Sequence, residues 1–327
     1  MRLTHRDIAI AFKEPFVSSR GVVSEVRQQV VRLDWQGLVG YGTALAAEPS
    51  ELDGLLLEDA SPFAIRSTLA RLDVRPNVLA AIDMALHDLL GKAANLPLRH
   101  LIGAADLPLT PTAVSIGACP DHELARRGQE LADWPILKLK MTSADDGRRA
   151  GVLREVYDGR IWVDGNCSWT AERAVEVSHE LAEHGVELLE QPVPAGQLSE
   201  LRYVHENSPI PVLADEDCVG RDDILKLRGH VAGVNIKLTK CGGLLAALDM
   251  ITLARAAGLR IMVGCKNEST LGVTAMAQLA GLADYLDLDG QLLLVDDPFT
   301  GLAIDRGVLT LPAAPGLGVG TYDIGEH

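Results

Sequence analysis

Two hydrophobic patterns alternate between residues 136 and 238. Five short runs have strand length and strand-like content: IleLeuLysLeuLysMet (136–141), IleTrpValAspGlyAsn (161–166), ValGluLeuLeuGluGlnPro (186–192), ProValLeuAlaAspGlu (211–216) and GlyValAsnIleLysLeu (233–238). A helix-length amphipathic stretch separates each run from the next, and strand alternating with helix predicts a parallel sheet. ThrAlaValSerIleGly (112–117) extends the series at one end, and LeuArgIleMetValGly (259–264) and AspTyrLeuAspLeuAsp (284–289) at the other. Eight strands with intervening helices predict a modified (β/α)8-type, TIM-like barrel.

The chain before this series has a different pattern. Residues 3–10, 28–35 and 38–43 read as three strands, the last two joined by GlnGly as an antiparallel hairpin, with ProPheValSerSerArgGly (15–21) expected as a mobile loop. From about 60 to 104 the spacing turns helical, most clearly in AlaAlaIleAspMetAlaLeuHisAspLeuLeuGlyLys (80–92). An α+β capping domain over 1–108 is therefore expected, followed by a (β/α)7β-type barrel over 109–299. The Gly- and Pro-rich tail 300–327 would return to the first domain without a full helix.

Alternation along a strand puts Lys138 and Lys140 on one face and Leu137, Leu139 and Met141 on the other. In a barrel the apolar set must meet the helices, so the lysines point inward. A lone LysLeuLys would read as a solvated edge strand; an internal position reverses that reading. Asp164, Glu190 and Asp215 each stand near the C-terminal end of a run, where barrel active sites form. Singly they could be a turn cap, a strand-end charge and a solvated acidic loop; recurring on three successive strands between Lys138, Lys140 and Lys237, they point to a metal site flanked by bases.

Composition narrows the partners. A net charge of -15 speaks against nucleic acid and anionic membranes, leaving a small-molecule substrate. Five cysteines without a CxxC pair indicate neither a disulfide framework nor a zinc ribbon. The start MetArgLeuThrHisArgAspIle lacks the apolar core of a signal peptide, and no uncharged apolar stretch is long enough to span a bilayer, so a cytoplasmic location is expected.

These motifs resemble the enolase superfamily, in its muconate-lactonizing-enzyme subgroup, nearly end to end. LysLeuLys is similar to the KxK of that subgroup's second barrel strand; Asp164, Glu190 and Asp215 fall at its Mg²⁺ ligands and Lys237 at its sixth-strand lysine. AspLeuAspGly (287–290) resembles the DxD of dipeptide epimerases, which implies that Asp287 and Asp289 hold the substrate's α-ammonium group. Arg20 matches an arginine that binds a substrate carboxylate. The chain departs from the Ala-Glu enzymes at Lys266 and Asn267, where apolar residues usually follow the cysteine, and at Thr43, where Glu is usual.

An all-carboxylate donor set favours Mg²⁺ over zinc, with Mn²⁺ as a substitute. Lys140 and Lys237 would be bases on opposite faces of an α-carbon, giving 1,1-proton transfer at the C-terminal residue of a dipeptide. Lys138 would assist at the enolate, and Lys266 with Arg20 would favour an acidic side chain. The competing readings are o-succinylbenzoate synthase, N-succinylamino-acid racemase or cycloisomerase chemistry, and, outside catalysis, a metal-binding scaffold. By the same analogy a symmetric homo-oligomer fits the family.

Overall fold

A computed structural model describes residues 1–18, 21–58, 60–105, 107–142 and 147–321. The chain opens with three antiparallel strands, β1 (Arg2–Ser18), β2 (Gly21–Trp35) and β3 (Leu38–Leu45), in the order β1-β2-β3. Of the segment 15–21, expected as a loop, the described residues 15–18 and 21 lie in strands, and residues 19 and 20 lie outside the described residues. The first arm stays in the strand through Ser18 and the second begins at Gly21, with a register shift between Ala11 and Phe16. Pro15 falls inside that shift, where no ladder hydrogen bond is required of it. The arm is tied to the barrel by Ala118 N donating to Val17 O at 2.9 Å and by Arg127 paired with Glu14 at 2.8 Å.

Three helices follow, α1 (Ile65–Leu69), α2 (Pro76–Ala94) and α3 (Leu98–Leu101). Pro76 starts α2, where a missing N–H costs nothing, and Asn95 ends it in the left-handed region at φ 54°. One face of α2 packs on β3 closely enough that Cβ atoms at Gly40 and Gly42 would collide with the backbone of Ala85 and Ala81. These glycines let helix and sheet meet without side chains between them.

The eight parallel strands are β4 (Val114–Ile116), β5 (Ile136–Lys140), β6 (Arg160–Asp164), β7 (Val186–Glu190), β8 (Val212–Ala214), β9 (Gly233–Ile236), β10 (Arg260–Gly264) and β11 (Tyr285–Asp287), neighbours in sequence being neighbours in the sheet. Thr112 bridges to Leu286 in parallel fashion and Ala113 N donates to Leu286 O at 3.0 Å, so the first and eighth strands nearly close the barrel. Around it run α4 (Asp121–Glu130), α5 (Arg148–Arg154), α6 (Ala171–Glu183), α7 (Leu198–Asn207), α8 (Arg221–Leu227), α9 (Leu238–Cys241), α10 (Leu244–Ala256) and α11 (Thr270–Ala277). Among the described residues no helix is long and apolar enough to cross a membrane.

After the last strand the chain returns to α2 as short β pairs and turns, Leu98 N donating to Gly316 O at 2.8 Å. The buried Asp88 carboxylate collects three donors here: Tyr41 N of β3 at 3.0 Å, Leu317 N of the tail at 2.9 Å and Lys92 Nζ at 2.7 Å. Removing it orphans the buried Leu317 amide and the part-buried Tyr41 amide. Asp88→Ala is expected to lower the unfolding free energy by about 2–4 kcal/mol, read as a fall in the urea midpoint at unchanged slope.

Candidate active site

Period-two alternation builds the barrel interior in layers. The lower layer is apolar: Ala113, Ile136, Trp162, Leu188, Leu213 and Met262 form one buried cluster, with Tyr285 packed edge-on against Trp162. Two residues further along the same strands come Lys138, Asp164, Glu190, Asp215, Gly264 and Asp287. The outward set of β5, Leu137, Leu139 and Met141, is buried in the large cluster beneath the helices. Gly264 lacks a side chain because Asn235 of the neighbouring strand occupies the space a Cβ would need, and Asn235 Nδ2 donates to Glu190 Oε1 at 2.8 Å.

The ionic contacts run around this ring. Lys138 Nζ lies 2.5 Å from Glu190, 2.6 Å from Asp287 and 3.4 Å from Asp164. Lys140 Nζ donates to Asp164 Oδ2 at 2.6 Å, and the other oxygen, Oδ1, accepts from Asn166 N at 2.9 Å. Asp215 takes Lys237 at 2.8 Å on one oxygen and Lys240 at 2.5 Å on the other. Its backbone N donates to Gln191 Oε1 at 2.9 Å, while Gln191 Nε2 holds Asp217 at 2.7 Å. Asn166, Cys167 and Gln191 have φ of 45°, 62° and 33°, so unusual backbone clusters at the C-terminal ends of β6 and β7.

Burial and charge pull these groups in opposite directions. Burial alone would neutralise Lys138, but Asp287, Glu190 and Asp164 outweigh it and hold the ammonium well above the usual lysine range. Lys237 behaves alike, burial losing to Asp215 and Glu190. Burial would raise Asp164, yet Lys140 and Lys138 bring it down to about 2. Asp215 is likewise held far below the usual carboxylate range by Lys237 and Lys240 against its burial. Burial prevails at Glu190 despite Lys138, and at Asp289, where Asp287 adds to it; both are raised.

Lys140 and Lys237 face each other across the barrel. Lys237 directly follows β9, four strands from β5 in a ring of eight, and both lysines line a cavity of about 570 Å³. Its walls also carry Asp215, Lys240, Cys265, Lys266 and Asn267, with Phe16, Val26 and Arg27 from the β1–β2 arm. Lys138, Asp164, Glu190, Asp287 and Asp289 are buried and do not form this wall. Asp289 Oδ2 accepts from Ser115 N at 2.6 Å across the barrel closure. Arg20 lies outside the described residues.

Four residues in or beside the site, Lys240, Asn235, Gln191 and the buried Glu268 that accepts from Lys266 N, carry contacts beyond the expected set. Lys240 follows Lys237 by three positions on one turn of helix, and Asn235 precedes it by two on the same strand face, so the spacing held both signals. Gln191 and Glu268 carried no comparable mark.

Residues 2–103 match the mandelate racemase / muconate lactonizing enzyme N-terminal domain family, and residues 122–323 match the enolase C-terminal domain-like family. The chain belongs to the enolase superfamily. It is 34% identical to an L-Ala-D/L-amino acid epimerase of Maribacter sp., over 98% of this chain and 99% of the relative. To an L-Ala-D/L-Glu epimerase of Bacteroides thetaiotaomicron it is 35% identical, over 88% and 80%. A dipeptide epimerase from Enterococcus faecalis, solved with Mg and L-Leu-L-Tyr, superposes with a TM-score of 0.89 at 31% identity, covering 97% of this chain and 98% of that one.

The donor set of this enolase-superfamily chain suits a hard cation. Asp164 and Glu190 are in direct register on adjacent strands, and Asp215 stands two residues past Leu213, which is in register with Glu190. Neighbouring strands are about 4.8 Å apart, so the three carboxylates come from successive strands and offer oxygen donors only. Among the described residues no three acidic, His or Cys side chains converge on a single point; ammonium groups stand between the carboxylates.

Behind the cavity wall, Glu268 is buried and pushed up to about 7 by that burial, with Oε1 accepting from Lys266 N at 3.1 Å. A raised acid favours the fold while the native state keeps its proton. The contribution is complete below the ordinary value of 4.5 and is lost as pH rises to about 7. Its ceiling is about 3 kcal/mol. Glu268→Gln is expected to flatten stability between those limits and to be the more stable form at pH 8, as read by urea unfolding.

Proposed function

We propose that this chain is a Mg²⁺-dependent dipeptide epimerase, moving a proton at the α-carbon of the C-terminal residue of a dipeptide. The observation that carries the reading is the opposition of Lys140 and Lys237 on one cavity, above three buried carboxylates. Relatives covering nearly the whole chain at about a third identity support it, being epimerases of L-Ala-D/L-amino acid or L-Ala-D/L-Glu dipeptides.

Asp164, Glu190 and Asp215 would hold the ion, and Mn²⁺ fits the same oxygen donors. A bound hard dication supplies positive charge that compensates these carboxylates and stabilises negative charge developing on a substrate oxygen. Lys140 Nζ takes the α-proton from one face and Lys237 Nζ returns a proton to the other, inverting the centre; the reverse direction exchanges the two roles. Lys138, ringed by Asp287, Glu190 and Asp164, stays charged and serves as a fixed cation near the developing charge. Asp287 and Asp289 anchor the substrate ammonium. Arg20 and Lys266 take carboxylates, which favours an acidic side chain.

Incubation with Mg²⁺ and pooled L,L-dipeptides in D₂O tests this. Deuterium should enter the α-position with inversion, stop on EDTA addition and return with Mg²⁺. Lys140→Ala and Lys237→Ala should each lower inversion by about 10²–10⁴-fold. Absence of exchange across a broad pool would sink the dipeptide reading. Asp289→Asn separates the alternatives: it should cripple a reaction that needs an ammonium anchor, whereas N-succinylamino-acid racemisation, o-succinylbenzoate synthesis or cycloisomerisation would survive it largely intact.

A further inference from the structure

The segment that carries Lys237 ends against a buried acid from the other domain. Lys237 is followed by the single turn α9, whose amides fold back on it: Lys240 N and Cys241 N donate to Lys237 O at 3.0 and 3.2 Å, and Gly242 N and Gly243 N donate to Leu238 O at 3.0 and 3.2 Å. Helix α10 then starts at Leu244, and the residue before it, Gly243, has no side chain with which to cap it. The cap comes from α2 of the capping domain. The Asp83 carboxylate, fully buried, accepts from Leu244 N and, at 3.3 Å, from Leu245 N.

Two features show that this approach is built in. Gly242 and Gly243 have φ of 97° and 118°, a region side chains rarely adopt, and a Cβ on Gly243 would collide with the Asp83 carboxylate. One turn along α2, His87 Nδ1 bonds the Asp83 carbonyl oxygen at 2.9 Å and lies at an ion-pair distance of 3.1 Å from Asp83 Oδ1, so the imidazole stands against the carboxylate whose Oδ2 holds α10. Asp83 therefore stands between His87 on its own helix and the first amides of α10. From its cap to Lys237 the chain runs through seven residues of hydrogen-bonded turn and left-handed glycine, with no flexible stretch in which a displacement could dissipate.

We propose that Asp83, packed beside His87, is a positioning residue that fixes the reach of Lys237 and leaves Lys140, on the opposite wall, unaffected. The inference rests on the two-lysine reading above for its catalytic consequence. Its structural half, that the cross-domain cap orders residues 237–245, stands without it. The distinction from an ordinary stabilising cap is directional. General loss of stability touches both lysines, whereas loss of this clamp touches one face of the α-carbon.

The test uses the full chain and two readouts. Hydrogen–deuterium exchange of native protein should show the amides of residues 238–246 opening at least about tenfold faster in Asp83→Ala, with β5 and β6 unchanged. With Mg²⁺ and each pure epimer of an active dipeptide in D₂O, Asp83→Ala should keep α-proton exchange on the epimer facing Lys140 within about threefold. Exchange on the other epimer, and inversion, should fall by up to about 100-fold. Asp83→Asn retains an acceptor oxygen and should recover most of both signals. Gly243→Ala, which disturbs the cap with Asp83 intact, should reproduce the loss and serves if Asp83→Ala does not fold. Equal slowing on both epimers, or unchanged amide protection, overturns the proposal. If wild-type protein exchanges no dipeptide at all, the functional reading fails, and the amide measurement alone decides the clamp.

Discussion

Everything at the centre of this molecule follows from burying a ring of charges and making them answer one another. Moving an ion out of water costs several kcal/mol unless a partner and hydrogen bonds replace the solvent, and breaking one such pair leaves the other uncompensated. Here Lys138 is shared by three carboxylates and Asp215 by two ammonium groups, so the two charges at the heart of the ring are each compensated more than once. The apolar layer below, closed by Trp162 and Tyr285, keeps water from entering through the bottom of the barrel. This layer contributes the hydrophobic stabilisation that the charged layer does not.

Such a ring is expensive to keep for stability alone, since well-packed apolar groups would serve the fold better. Its retention at the C-terminal strand ends, where left-handed backbone at Asn166, Cys167 and Gln191 adds strain, marks the layer as the working part of the fold. The proton-transfer reading uses that arrangement economically. Opposed lysines require an even, closed ring, because only strands four apart face each other. The eight-strand order supplies that geometry without any special loop.

Much of this was legible in one dimension because strand alternation is a local rule. LysLeuLys sets its own inward face, and the three acids repeat at the same height on successive strands, so the barrel, its eight strands and the helix around residues 80–92 could be read directly. Residues 15–18 could not. The Pro, Ser and Gly content of 15–21 signals a loop, but pairing with the partner arm and docking of Val17 on Ala118 override local preference. The partners of the charged residues were equally hidden: Lys138 meets Asp287 149 positions away, and Asp83 meets Leu244 at a separation of 161. No periodicity reports contacts of that kind.

The β1–β2 arm of the N-terminal domain walls the cavity with Phe16 and Val26. Helix α2 has a different place in the architecture. Asp88 gathers β3 and the returning tail, and Asp83, five residues earlier, reaches the barrel segment behind Lys237. Because the spacing of five turns the two acids to different sides of the helix, one helix ties three parts of the chain at once. The glycines opposite it, 42, 243 and 316, are where other backbone comes close enough to require it. A substitution that shifts α2 along β3 would therefore be transmitted to the lysine-bearing turn, since close-packed backbone leaves no slack to absorb it.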